Sequence, residues 1–264
     1  MRSSFFLSKW YFDCVSDDGN VFIGYIAEAR WGSISISYSS TLQHRHGRKV
    51  ETSISLRRSA PPQVADSDIR WVSPRLNVAG QWTAMAQPIK RRLLESESGY
   101  IEWNCWQPGA RAEITLGNRR IEGTGYVDQV TMTIPPWRLP FEQLRWGRFL
   151  SNKDALLWLS WEGQSQINLA FHNGISIENS QVDERAFKAN NLILDLEKKI
   201  VLREGPLTNT ALATVPGIDR LLPKSILQSY ECKWLSRGTL EQAGSSSQSG
   251  WAIHEIVCFG KEPN

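Results

Sequence analysis

Tyr126 and Asp128 stand two residues apart in "IEGTGYVDQVTMTIPPW", residues 121–137, behind two glycines and ahead of a run of strand-forming side chains. Residues i and i+2 of a strand project from one face, about 7 Å apart. On a wet face a phenol and a carboxylate at that spacing are decoration. On a face turned to a pocket they are chemistry, because a carboxyl withdrawn from water favours its protonated form. A second Tyr–x–Asp, Tyr11 and Asp13 in "WYFDC", repeats the spacing near the start. A duplicated β domain would explain that echo.

Two further stretches mix polar groups with aromatics. Taken as a strand, "YIEWNCWQP" (residues 100–108) sets Glu102, Asn104 and Trp106 on one face and Ile101, Trp103 and Cys105 on the other. The second face reads as core, and the first as the polar-decorated wall of a pocket. In "GWAIHEIVCF" (250–259), Trp251, Ile253, Val257 and Phe259 form the larger apolar face, and Glu255 falls among them. An inward carboxylate must be hydrogen-bonded, paired or neutral, and a buried arginine is its simplest partner. Each of these residues also has a structural use. Tyr126 can anchor a loop, Asp128 can cap a turn before "QVT", and Asn104 can satisfy a backbone group. His44 and His46 have a metal-like spacing but sit in a hairpin-loop sequence with no third ligand nearby, so no metal centre is expected. His254 alternates away from the pocket side, and His172 precedes an Asn–Gly turn.

Period-2 alternation dominates the elements that must carry these groups. "SISISYSS", "VETSISL", "ARAEITL", "ALLWLSWE", "INLAFH", "LILDL", "IVLRE" and "YECKWL" are separated by turn-like "DDGN", "HRHGR", "LGNR", "NG" and "GSSSQSG". Many short strands at near-regular spacing predict an all-β sandwich or barrel. The best helical candidate, "PGIDRLLPKSILQ", is short and holds an internal proline. A chain of 264 residues is long enough for one large domain or two modest ones. Pro135–Pro136 opens a crossing near the midpoint, which predicts domains at 1–136 and 137–264.

Composition narrows the function classes. Apolar content of 41% and charged content of 22% are ordinary for a globular protein. A net charge of +3, with basic pairs that are short and scattered, argues against a nucleic-acid partner. Twelve tryptophans against three methionines fit a wide core or an aromatic-lined cavity. The four cysteines are far apart with no CxxC, so zinc and redox motifs are absent and a reducing cytoplasm is the expected setting. The apolar run in "MRSSFFLSKWYFD" is far shorter than a secretory signal, and nothing approaches a membrane span. Peripheral membrane association stays open if the substrate is oily.

A family resemblance joins these pieces. "KWYFDCVSDDG" resembles the opening of the carotenoid 1,2-hydratase (hydroxyneurosporene synthase) group. "NCWQPGARAEI…IEGTGYVDQ" resembles its central region, where an H-x-W element precedes G-x-G-Y-x-D. "WLSRG…GWAIHEIV" is similar to its C-terminal His–Glu strand. The resemblance implies two lipocalin-like β units packed about a hydrophobic cleft, with no metal or redox cofactor. It implies relatives that hydrate a terminal C=C bond or close a ring in polyenes and polyketides. By position, Tyr126 and Asp128 match the family's Y-x-D, and Trp106 matches the Trp of H-x-W. The family's His is Asn104 here, and Asn cannot exchange a proton near neutral pH.

The roles that follow are specific. Asp128 is the acid, Tyr126 orients it, Trp106 shelters a cation and Asn104 places water. Glu102 or Glu255 is the candidate base, and Trp251 and Tyr11 line the substrate. The substrate is an apolar terpenoid, carotenoid or polyketide, either hydrated by water addition after protonation of a C=C bond or closed into a ring by cation trapping or conformational templating. A non-catalytic carrier of a hydrophobic ligand is the alternative. A Trp-rich carbohydrate-binding sandwich would need a flat exposed aromatic face, whereas these tryptophans alternate with apolar residues.

Overall fold

The computed structural model describes residues 5–183, 185–207 and 227–259, and the chain divides into two compact units, Met1–Pro135 and Pro136–Asn264. The described elements are strands and two single-turn 3-10 segments. The helical candidate at 216–228 lies almost wholly outside the described residues.

The first unit holds β1 (Phe5–Val15), β2 (Val21–Trp31), β3 (Ile34–His44), β4 (Glu51–Ser55), β5 (Gln63–Ala65), β6 (Asp68–Ser73), β7 (Val78–Ala84), β8 (Ile89–Ser96), β9 (Gly99–Leu116) and β10 (Arg119–Met132). They pair in the order β4-β3-β2-β1-β10-β9-β7-β6-β5, all antiparallel, with β8 added to the free half of β9. The second holds β11 (Phe141–Leu150), β12 (Ala155–Gly163), β13 (Ile167–His172), β14 (Ile175–Ile177), β15 (Gln181–Val182), β16 (Ala186–Ala189), β17 (Leu192–Pro206), β18 (Tyr230–Gln242) and β19 (Gln248–Cys258). Its order, β14-β13-β12-β11-β19-β18-β17-β16-β15, follows the same path. In each unit the last strand returns to pair with the first.

Both sheets curl until distant strands touch. Phe12 on β1 stacks on Trp71 of β6 with ring centroids 5.1 Å apart, although those strands stand four places apart in the sheet order. Trp158 on β12 meets Phe187 of β16 at 6.0 Å. The concave face of the first unit is filled by Phe12, Cys14, Phe22, Trp71, Trp82, Ala112, Ile114 and Val127. That of the second is filled by Phe149, Leu156, Trp158, Phe187, Leu194 and Ala252. Buried aromatic and branched residues at period 2 seal one face of each strand, which is what curls a sheet around its own core.

Two local devices set the register near Asp128. "YIEWNCWQP" and "ARAEITL", predicted as separate strands, are one strand, β9. Its pairing with β10 is irregular twice: Trp106 is the extra residue between the Cys105–Asp128 and Gln107–Val127 pairs, and Pro108 and Gly109 lie opposite Tyr126 alone between the Gln107–Val127 and Ala110–Gly125 pairs. Proline lacks the N–H that a regular ladder would use there. The glycines ahead of Tyr126 allow close approach of β1 and β10. A Cβ at Gly125 would lie 2.6 Å from the Asp13 carbonyl oxygen and 2.7 Å from the Ala112 Cβ.

Among the described residues no helix is long and apolar enough to cross a membrane. All four cysteines are free thiols and buried.

Candidate active site

The sheet face opposite the aromatic core of the first unit is also closed to solvent, and it carries the polar groups. Directly paired residues of an antiparallel ladder share a face. Tyr11 pairs with Asp128, and Asp13 pairs with Tyr126. Tyr25 of β2 lies beyond Tyr11, and Cys105 of β9 lies beyond Asp128. The two Tyr–x–Asp motifs therefore form a two-by-two checkerboard on neighbouring strands of one unit. The echo does not mark the two halves of a duplication. That duplication lies instead in the shared strand order.

Within the checkerboard each tyrosine serves its own aspartate. Tyr11 Oη donates to Asp13 Oδ2 at 3.1 Å, and Tyr126 Oη donates to Asp128 Oδ2 at 2.7 Å. Trp103 Nε1 donates to the same Asp128 oxygen at 2.9 Å. Asp13 and Tyr126 are 0% exposed and Asp128 is 7% exposed. The rings of Tyr25 and Tyr126 stand edge-on to Tyr11, with centroids 5.3 and 5.9 Å away. Burial, and next the charge of Asp128, push the Tyr126 phenol well above its ordinary value. Burial and then Asp128, with a further contribution from Asp13, do the same for the Cys105 thiol. Both groups remain neutral at ordinary pH, so Tyr126 keeps a proton to donate.

Asn104 and Trp106 do not join this cluster. Alternation along β9 pairs Cys105 with Asp128 but Asn104 with Gln129, so 104 and 106 project from the opposite face. The residues beside Asp128 are Trp103 and Cys105, which sequence periodicity assigned to the core side. The two faces of β9 were separated correctly and matched to the wrong partner face of β10, because alternation within a strand says nothing of cross-strand register. Trp106 is 36% exposed, stacks on Trp10 with centroids 5.8 Å apart, and donates to Gln129 Oε1 at 3.4 Å. Asn104 Nδ2 donates to Glu102 Oε1 at 3.3 Å. Glu102 is ion-paired with Lys90 at 3.5 Å and Arg92 at 3.1 Å, and the Asn104 hydrogen bond leads the causes that hold its carboxyl below the usual range. This is an anchored surface carboxylate on the face away from Asp128.

Glu255 and Trp251 belong to β19 in the second unit. Glu255 is paired with a lysine: Lys233 donates to Glu255 Oε2, and its ammonium stands 5.5 Å from the centroid of Trp146. The Trp251 ring faces Arg237 at 5.0 Å, and its carbonyl accepts from Arg148 at 2.9 Å. His254 lies on the other face of β19, bonded through Nε2 to Ser236 Oγ at 2.9 Å. Besides Trp103 and Cys105, sequence reasoning leaves Asp13 out of the site. Its signal in the sequence is the repeated Tyr–x–Asp, which fits a domain duplication equally well.

No family model matches the chain, and no curated protein matches its sequence. Solved structures do. Two consecutive lipocalin-like antiparallel β units are the class of fold that the strand order defines. CghA superimposes over 98% of this chain and 90% of its own, with a TM-score of 0.60 at 12% identity. The structure of CghA with Sch210972 gives the same score over 96% and 88%. Kievitone hydratase from Nectria haematococca covers 97% and 89%, with a TM-score of 0.50 at 9% identity. The likeness at these identities is one of fold.

Proposed function

We propose that this chain is an enzyme of the hydratase/cyclase type that acts on an apolar terpenoid, carotenoid or polyketide through Asp128. The observation that carries the reading is the Asp128 carboxyl itself, nearly closed to water and held by Tyr126 at 2.7 Å and Trp103 at 2.9 Å. Full-length likeness of fold to a protein named as a hydratase supports it.

Trp103 Nε1 can only donate, so Asp128 Oδ2 accepts and a proton on this carboxyl resides on Oδ1. Oδ1–H protonates one carbon of the double bond. The cation that forms is sheltered by neighbouring aromatic faces, for up to about 2 kcal/mol each in a dry site. Water adds to the cation and returns a proton to the Asp128 carboxylate, which closes the cycle with one carboxyl. If an internal double bond traps the cation, loss of a proton to Asp128 gives a ring instead. The group that replaces the family's histidine is then not needed as a base, since Asp128 becomes the base once it has acted as acid.

Incubation with acyclic carotenoids, terpenoids and polyketides, followed by mass spectrometry, tests the reading. Gain of one water identifies a hydratase, and a product of unchanged mass identifies a cyclase. Asp128→Asn is expected to lower turnover by at least about 100-fold. Turnover unchanged in that variant removes Asp128 from the reaction. The carrier reading is favoured by the stacked Trp10 and Trp106, the latter partly open to solvent. It predicts retention of an apolar ligand through purification, no product, and indifference to Asp128→Asn.

A further inference from the structure

We propose that Asp13 is a positioning residue for Asp128: the two carboxyls form a coupled pair, and the negative charge of Asp13 keeps a proton on Asp128. The inference rests on Asp128 acting as the acid.

The ladder register makes Asp13 and Asp128 diagonal neighbours on one closed face, each bonded by the tyrosine of its own strand. Diagonal pairs stand about 7–8 Å apart at Cα. The local hydrogen bonds on Asp128 work against an acid. Tyr126 Oη and Trp103 Nε1 both point at Oδ2, and donors of that kind favour the ionised carboxylate. An ionised carboxylate has no proton to give. A second carboxylate nearby tilts the balance back, because ionising both places two like charges where little water screens them.

The titratable and charged groups that share this face by register are Lys9 and Tyr11 on β1, Tyr25 on β2, Tyr38 and His44 on β3, Arg91 on β8, Cys105 on β9 and Tyr126 on β10, with Arg111 and Glu113 of β9, Arg120 and Glu122 of β10 and Asp68 and Arg70 of β6 farther along it. Lys9 is held over the Tyr25 ring, 5.0 Å from its centroid. Whatever these groups contribute, neutralising Asp13 removes one negative charge from the neighbourhood of Asp128. For charges about 7 Å apart at an effective dielectric constant near 20, that is worth roughly one to two pH units in the midpoint of Asp128.

The test is infrared titration of the full chain carrying 13C-labelled aspartate carboxyls, with the Asp128 band assigned by its loss in Asp128→Asn. In Asp13→Asn the Asp128 midpoint is expected to fall by roughly one to two pH units, and in Asp13→Glu to stay near that of the unsubstituted protein. Coupling is reciprocal, so in Asp128→Asn the Asp13 midpoint should fall by a similar amount. This keeps the proposal testable if Asp13→Asn fails to fold. An Asp128 midpoint untouched by Asp13→Asn, an Asp13 midpoint untouched by Asp128→Asn, or an Asp128 already ionised at pH 5 in the unsubstituted chain would overturn it. Failure of the enzyme reading looks different: Asp128→Asn then retains turnover while the infrared coupling stands or falls by itself.

Discussion

Two donors converge on Oδ2 of Asp128, and the proposed acid step uses the proton of the other oxygen. The chemistry proposed above is therefore tied to one atom. A buried histidine on the same unit permits a residue-scale prediction that needs no substrate. His44 is 7% exposed, and burial, followed by the nearby charge of His46, lowers its proton affinity below the ordinary value of 6.5. The folded state then binds its proton less readily than the unfolded chain does. Stability from this site is full above about pH 6.5 and is lost as pH falls from there toward the lower folded value. His44→Gln should flatten the decline of the urea midpoint between about pH 6.5 and pH 5 relative to the unsubstituted chain. An unaltered slope would mean that His44 is protonated equally in both states.

At the scale of the element, the β1–β10 pair carries the site, and its closeness depends on glycine. Any side chain at Gly125 meets the Asp13 carbonyl and Ala112 within 2.7 Å. Gly125→Val should destabilise the chain by about 2–3 kcal/mol, read as a lower urea midpoint at unchanged slope. It should also shift the Tyr126–Asp128 pair, since both follow within three residues. A Gly125→Val chain as stable as the parent would show that the strands can separate without loss. The bulge at Pro108–Gly109 explains why β9 was legible as two strands: a proline and a glycine in mid-run look like a loop, and only the long-range pairing with β10 bridges them.

Across the whole molecule, two units repeat one strand path, each wrapped on its own aromatic core, and the four thiols are sequestered with no disulfide. Cys14 and Cys105 lie on opposite faces of the first sheet, and Cys232 and Cys258 pack together in the second. Reaction with a thiol-specific disulfide reagent should be slow for all four in native buffer and complete in 6 M guanidinium, about as fast as model thiols. Native reaction should follow the equilibrium population of opened chain when opening is fast. One thiol that reacts at once in the native protein would place that cysteine at the surface and contradict its burial.

What sequence alone determined is local. Alternating apolar residues required an all-β chain, the Asn173–Gly174 dipeptide required a turn of positive φ, and the Tyr–x–Asp spacing put phenol and carboxylate on one face. Side-chain parity within a strand depends only on neighbours in the chain, so it can be read from residue types. Tertiary structure decided which faces meet. It moved Asn104 and Trp106 away from Asp128, brought Trp103 and Asp13 toward it, and gave Glu255 a lysine in the second unit. The reason is physical: register is set by pairing between strands more than a hundred residues apart in the chain, as for β1 and β10, and a slip of one residue exchanges every partner on both faces.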